Sequence, residues 1–419
     1  MPTFLALFFF LLPFQFALSP LPGIDLPVAR LLVIILFLVW LFSGLKGRSL
    51  TLPNPQILWP TLFFLVWLVL SSLWALQPDW AWRKSAFLFN FFLLLFPLLA
   101  VFSREGQKTR YRITAALVSG ATLSGIMGSL QFLSQFVFGL EKTYTFWTSS
   151  ILPFFLGQAF GASVREYPSL LVNVSDHTLL RASGFFPDPH LFGLYSATAL
   201  FLAIWLWRSS GKRFWLFFGS ILLLATLLSF SRGAYLALFC GTIVLTFPAL
   251  KQYFSLRRIF FVLLLSGLLV FSPIGNRLLS SFSQNDGSVN ERLRLWEEAA
   301  DHISERPLGG VGLGSYPLLV DPQALYRTPI YAHNLYLDVW AEIGLVGLLP
   351  LLFLFLIALR QRTSEYGEAP RAALVVFLVH SFFETPLFSV HCLPLLLFLL
   401  AFLLAPPPSM NTYESDPLS

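Results

Sequence analysis

The sequence predicts an all-helical, polytopic membrane protein, and three observations carry that prediction. Only 11% of the 419 residues are charged and 56% are hydrophobic, against about a quarter charged in soluble domains. Mean hydropathy is +0.74. Apolar runs recur from one end to the other, each about long enough to cross a ~30 Å hydrocarbon core as a helix. A soluble globular fold is excluded.

Reading the apolar runs between polar breaks gives one membrane domain over 1–419 with about twelve spans. They are expected near 2–18, 28–45, 57–76, 85–102, 113–139, 190–207, 214–230, 233–250, 259–274, 335–359, 370–388 and 389–405. The first lacks the basic start of a leader peptide and is followed almost at once by a second, so it reads as a membrane helix. With the N-terminus inside, the short inner loops hold Lys46 and Arg48; Arg104, Lys108, Arg110 and Arg112; Arg208, Lys212 and Arg213; Lys251, Arg257 and Arg258; and Arg360, Arg362 and Arg371. These are fifteen of the 27 basic residues, so the positive-inside rule puts both termini in the cytoplasm. Topology therefore accounts for the net charge of +6 and the pI near 9.4, and nucleic acid is not an expected partner. Cys240 and Cys392 lie inside apolar segments and read as packing thiols, with no disulfide or metal site.

Two long outer loops depart from this pattern, at 140–189 and at 275–332 between the ninth and tenth spans. Loops of such length in a compact bundle are usually functional. The first carries Phe146, Trp147, Ile151, Leu152, Phe154 and Phe155 in a stretch too short to span, which predicts a segment lying at the interface. The second predicts a helix over 291–305, with Leu293, Trp296, Ala300 and Ile303 at helical spacing, ended by a Pro-Gly turn over 307–314. Gly309, Gly310, Gly312 and Gly314 follow a helix rather than a strand, so a tight backbone turn is expected and not a nucleotide loop. The Asn173-Val174-Ser175 sequon carries no weight without a eukaryotic secretory setting.

Ionisable groups beside spans are costly, and here they gather at the outer ends. Asn334, Asp338 and Glu342 recur at i, i+4 and i+8 on the tenth span, and His380 and Glu384 repeat the i, i+4 spacing on the eleventh. Arg232 follows Ser231 in a turn so short that its guanidinium must sit at the membrane surface, either as a snorkelling anchor or as an anion contact. A transporter or lipid flippase stays open on architecture alone, although transporters place polar groups near the midplane. Charge on one rim instead fits a cleft for a lipid-borne anionic substrate, which arginine can grip with two parallel hydrogen bonds.

The motifs resemble the bacterial O-antigen ligase and polymerase superfamily. His333-Asn334-Leu335-Tyr336-Leu337 followed by Glu342-Ile343-Gly344-Leu345-Val346-Gly347 looks like its signature. Ser231-Arg232-Gly233, Arg292 four residues before Trp296, Pro307 with Gly310, Val311 and Gly312, and Arg181-Ala182-Ser183-Gly184-Phe185-Phe186 resemble further elements in the same order. The likeness covers about 110–400 well and the N-terminal spans by hydropathy alone.

The resemblance implies inverting glycosyl transfer, without metal or other cofactor, from an undecaprenyl-pyrophosphate-linked glycan to an acceptor hydroxyl. The acceptor would be lipid A-core or a similar lipid or glycan, at the outer face of the bacterial cytoplasmic membrane. A repeat-unit polymerase and a protein O-oligosaccharyltransferase are alternatives within the superfamily. By the same resemblance Arg232 and Arg292 bind the pyrophosphate, Arg181 is a third phosphate or sugar contact, and His333 is the base. Asn334 belongs to the same motif, while Asp338 and Glu342 orient His333 or brace its helix. If Trp296 packs its helix inward, Arg292 is held on the same side and Arg294, about 160° away, faces solvent.

Overall fold

The computed structural model describes residues 1–21, 24–48, 50–174, 177–252, 287–361 and 368–406. Among them the chain is helical almost throughout. Its helices are α1 Pro2–Leu11, α2 Val28–Lys46, α3 Pro55–Ser71, α4 Pro78–Phe92, α5 Leu95–Arg104, α6 Gly106–Phe138, α7 Leu140–Phe146, α8 Leu152–Leu156, α9 Gln158–Val164, α10 Pro189–Ser210, α11 Phe214–Leu228, α12 Arg232–Gln252, α13 Gly287–Glu305, α14 Tyr316–Val320, α15 Leu335–Arg360, α16 Glu368–His380 and α17 Cys392–Leu404. Two small antiparallel hairpins interrupt them: β1 Ala17–Leu21 with β2 Ile24–Pro27, and β3 Leu171–Val174 with β4 His177–Leu180.

Six described stretches are long and apolar enough to cross a membrane: Val28–Lys46, Pro55–Trp74, Pro78–Arg104, Gly106–Phe138, Pro189–Ser210 and Leu335–Arg360. Shorter apolar helices run over Pro2–Phe14, Phe214–Leu228, Arg232–Thr246 and Cys392–Leu404. The expected ninth span, 259–274, and the start of the second long loop lie outside the described residues.

Prolines explain where helices differ from the expected spans. The first stops at Phe14 instead of continuing to residue 18, and the chain turns into the β1–β2 hairpin with Pro20 and Pro27 in its strands. The fourth divides into α4 and α5 at Leu93 and Leu94, because Pro97 has no N–H to donate to Leu93 and its ring crowds that carbonyl. The eleventh ends at His380 rather than near 388, and a link with one short 3-10 turn at Pro386–Phe388 leads to α17.

α10 and α17 are the centre of the bundle. Tyr195, Phe201 and Trp205 of α10 and nearly every side chain of α17 are buried, as expected of helices that are apolar all round. The outer helices expose Phe42, Trp59, Phe63, Val66, Phe136 and Phe217. Such a large apolar exterior suits lipid rather than water.

The fold is least regular where α15 breaks. Gly344 sits at φ +71° inside that helix, and the freed backbone groups are taken up by the glycine turn. Val311 N donates to Ala341 O at 2.9 Å, Gly312 N to Glu342 O at 2.9 Å, and Leu345 N to Pro307 O at 2.9 Å. Trp67 Nε1 donates to Ile343 O at 2.7 Å. A β-carbon on Gly310 would stand 2.5 Å from Glu342 O, and one on Gly344 would collide with the Leu308 carbonyl. Both glycines have positive φ, so the close approach and the left-handed backbone each demand glycine. The two glycine-bearing motifs are thus two halves of one backbone junction.

Candidate active site

His333 stands immediately before α15 in an uncommon backbone conformation, φ +48°. Non-glycine residues rarely adopt it, though histidine does so more than most. Its surroundings hold it there. Asn334 caps α15 by accepting from Tyr336 N at 3.0 Å and Leu337 N at 3.2 Å. On the other side of His333, Ala332 is fixed at both polar atoms. Its N–H donates to Asp338 Oδ1 at 2.8 Å, and its carbonyl accepts from Trp296 Nε1 at 2.7 Å. Asp338 also accepts from Thr385 Oγ1, and Leu335 N donates to Ser381 O at 2.8 Å. These bonds tie α13, α15 and the link after α16 around one residue.

That link supplies the partner of His333. Glu384 Oε1 lies 3.2 Å from His333 Nδ1, with the carboxylate nearly buried and the imidazole half-buried. Burial alone would lower the pKa of His333. The charge and hydrogen bond of Glu384 outweigh both burial and the opposing charge of Arg292, and raise it above its ordinary value. Burial would likewise raise the Glu384 carboxyl, but His333 and Arg292 overcome it and hold the group down to about 2.

Arg292 is half-buried, and its positive charge is felt at His190, His333, His380 and Glu384. Its placement follows from α13, although the buried face differs from the expected one. Leu293 is 49% exposed and Ala300 is exposed, whereas Leu295, Ala299 and Ile303 are buried. At 100° per residue Arg292 falls within the arc from Leu295 to Trp296 that contains these positions. Tyr316 anchors the arc by donating its hydroxyl to Leu295 O at 2.7 Å. Arg294 points elsewhere: it is half exposed and pairs with Glu291 at 2.6 Å and with Glu298.

Arg232 opens α12 and is half-buried. Its neighbour Ser231 is buried, with Oγ 2.9 Å from His190 Nδ1. The charges of Arg292 and His333 reach His190, so the starts of α10 and α12 border the surroundings of His333. Arg181 belongs to the same cluster but is only 2% exposed. Its Nε donates to Ser229 O at 2.7 Å and its Nη1 to Ser169 O at 2.8 Å, while His190 flanks the guanidinium at 3.3 and 3.4 Å. The guanidinium thus donates to two backbone carbonyls.

Glu342 pairs with Lys84 of α4 at 2.5 Å, the ammonium lying 3.8 Å from the centre of the Phe388 ring. Sequence reasoning gave Lys84 no role and left His190 and Glu384 out of the site. Asp188-Pro189-His190 was the available signal for His190, since Asp188 caps α10 by accepting from His190 N at 2.5 Å. Cys392 is buried and half a chain away from Leu191, whose carbonyl its thiol meets at 3.8 Å; it and Cys240 are free thiols. In the segment 140–189, Trp147 and Leu152 are buried while Phe146 and Phe154 stay exposed.

No curated protein matches this chain. Residues 217–352 match the family model described as O-antigen ligase, a segment that includes Arg232, Arg292, Trp296, His333, Asn334, Asp338 and Glu342 but neither Arg181 nor Glu384. This similarity, over 136 of the 419 residues, supports membership of the O-antigen ligase and polymerase superfamily.

Proposed function

We propose that the protein is a glycan ligase of the cytoplasmic membrane, moving a glycan from undecaprenyl pyrophosphate to the hydroxyl of a lipid acceptor at the periplasmic face, with both termini in the cytoplasm. One observation carries the reading: within and beside the matched domain, the charge of Arg292 acts on a paired His333 and Glu384. A cation for a leaving pyrophosphate and a base for a hydroxyl are the two groups such a transfer needs.

In this mechanism Glu384 holds Nδ1 of His333 and leaves Nε2 to take the acceptor proton. The acceptor oxygen attacks the anomeric carbon from the face opposite the pyrophosphate, and the new C–O bond forms as the old one breaks. The bonding electron pair leaves with the pyrophosphate, whose charge Arg232 and Arg292 receive. A single displacement inverts the anomeric centre. The guanidinium fork meets phosphate oxygens with parallel hydrogen bonds, so in this mechanism the donor's charge is met without a divalent ion. We assign Arg181 to framing the Arg232 turn, and Asp338, Asn334 and Trp296 to fixing the backbone on either side of His333.

The test is a purified-protein reaction with a lipid-linked oligosaccharide, without ATP or an ion gradient and with EDTA present. Release of undecaprenyl pyrophosphate and an inverted glycoside on lipid A-core are expected. Growth of the donor glycan instead would make the protein a polymerase, and glycosylation of an added peptide would make it a protein transferase. Movement of intact donor across vesicles without release would make it a flippase. Activity lost in EDTA and restored by magnesium would remove the two-arginine donor site.

A further inference from the structure

We propose that a groove at the end of α6 is a binding site for an anionic phospholipid, distinct from the reacting groups. The groove has a volume of about 450 Å³ and runs between the last turns of α6 and α7. Leu130 and Phe146 line it and are 54% and 57% exposed. Leu130 lies on α6, which is long and apolar enough to cross a membrane, so its exposure opens the groove sideways to lipid. Such a space suits a hydrocarbon chain.

The groove is amphiphilic rather than uniformly apolar. Lys142 lines it and is exposed, and Thr143 beside it is 5% exposed with an Oγ1 that has no hydrogen-bond partner among the described residues. A buried hydroxyl left unmatched carries a free-energy cost. A phosphate diester seated at the mouth would accept from Thr143 and neutralise Lys142, while its acyl chain lay along Leu130 and Phe146. One cation matches one phosphate. If the reading proposed above holds, the pyrophosphate carrier has its own cations in Arg232 and Arg292, so the groove is left to a resident lipid.

Its position gives the occupant a structural consequence. Gln131 and Trp147 line the groove and also hold the backbone next to Arg181. Gln131 Nε2 donates to Arg181 O at 3.2 Å, its Oε1 accepts from Ser183 N at 2.9 Å and Gly184 N at 3.0 Å, and Trp147 Nε1 donates to Gly184 O at 2.9 Å. Arg181 then reaches Ser229 on the other side. A bound lipid therefore presses on the support of the Arg232 turn while standing one layer of side chains away from it.

Native mass spectrometry of delipidated protein tests the proposal with phosphatidylglycerol, phosphatidylcholine and undecaprenyl phosphate as probes. One phosphatidylglycerol should be retained per chain in preference to phosphatidylcholine. Lys142→Glu, which reverses the charge, and Leu130→Trp, which fills the groove, should each weaken retention by about tenfold or more. Both positions are exposed, so unchanged melting temperatures are expected and serve as the folding control. His333→Ala should bind phosphatidylglycerol as wild type does, which separates this proposal from the glycosyl-transfer reading. Retention unaltered in both groove variants, absence of a headgroup preference, or displacement of phosphatidylglycerol by undecaprenyl phosphate would overturn it.

Discussion

Arg181 and Arg292 occupy opposite kinds of surroundings within one cluster. Around Arg181 the guanidinium is buried against two backbone carbonyls and a histidine ring, so its hydrogen bonds hold a strand end to a helix junction. Around Arg292 the helix is half-exposed, and the arginine lends its charge to a histidine and a carboxylate that are themselves paired. The difference is instructive: a cation buried against backbone carbonyls ties elements of the fold together, whereas a half-exposed one projects its charge onto neighbouring groups.

The largest effect should come from the reactive side of this contrast. His333→Ala should lower transfer by about 10²–10⁴-fold, the range for a general base, while donor binding persists because the arginines remain. Transfer at the wild-type rate at neutral pH would reduce His333 to a helix-start residue. Next in size is the pair on α13. Arg292→Ala should lose about 100-fold or more in transfer, as expected for a group stabilising a leaving anion. Arg294→Ala should lose less than about threefold, because its ion pairs are exposed. Equal losses at equal expression would mean that the inward side of α13 has been misassigned.

Arg181→Ala should instead act on stability. It leaves the carbonyls of Ser169 and Ser229 without these donors, at about 1–3 kcal/mol each, which a lower melting temperature and poorer yield would report. Protein that does fold should retain most of its donor affinity. A stable variant that no longer bound donor would erase the contrast between the two arginines. The smallest change is the most diagnostic of the dyad. In the proposed mechanism the neutral imidazole takes the proton, so transfer should rise with pH and level off above the raised pKa of His333. Glu384→Gln removes the anion that raises that pKa, so the acid limb should move to lower pH. A limb that stayed in place would show that Glu384 does not set the protonation of His333.

The features legible in the sequence were those written in local pattern. Apolar runs announced the helices, and the spacing of Arg292 and Trp296 placed both on one side of α13. The glycines at 309–314 read correctly as a tight turn. What the turn meets was not legible, because the bonds from Val311 and Gly312 reach a helix break some thirty residues on, and hydropathy does not mark a broken helix. Lys84 was overlooked for a similar reason: its partner Glu342 is 258 residues away. The missing last eight residues of the eleventh span, 381–388, reflect a conflict between Phe382, Phe383, Leu387 and Phe388, which kept the stretch apolar in part, and the proline at 386 within it. On α13 Trp296 and Ile303 were read on the inward side as found, but Leu293 and Ala300 face outward and Leu295 and Ala299 pack inside.

The docked glycine turn also has a consequence for how the protein can be altered. Peptide groups at 311 and 312 are bound to those at 341 and 342, so the chain between them is a loop whose ends are already closed. Within it the stretch around 321–330 is held to the N-terminal hairpin by Arg327 and Asp25 at 2.8 Å. Lengthening a loop with fixed ends costs only about 0.6 kcal/mol for each doubling. The segment before His333 can therefore be exchanged as a cassette of different length while the register of α15, and with it the setting of the histidine, is kept by the junction.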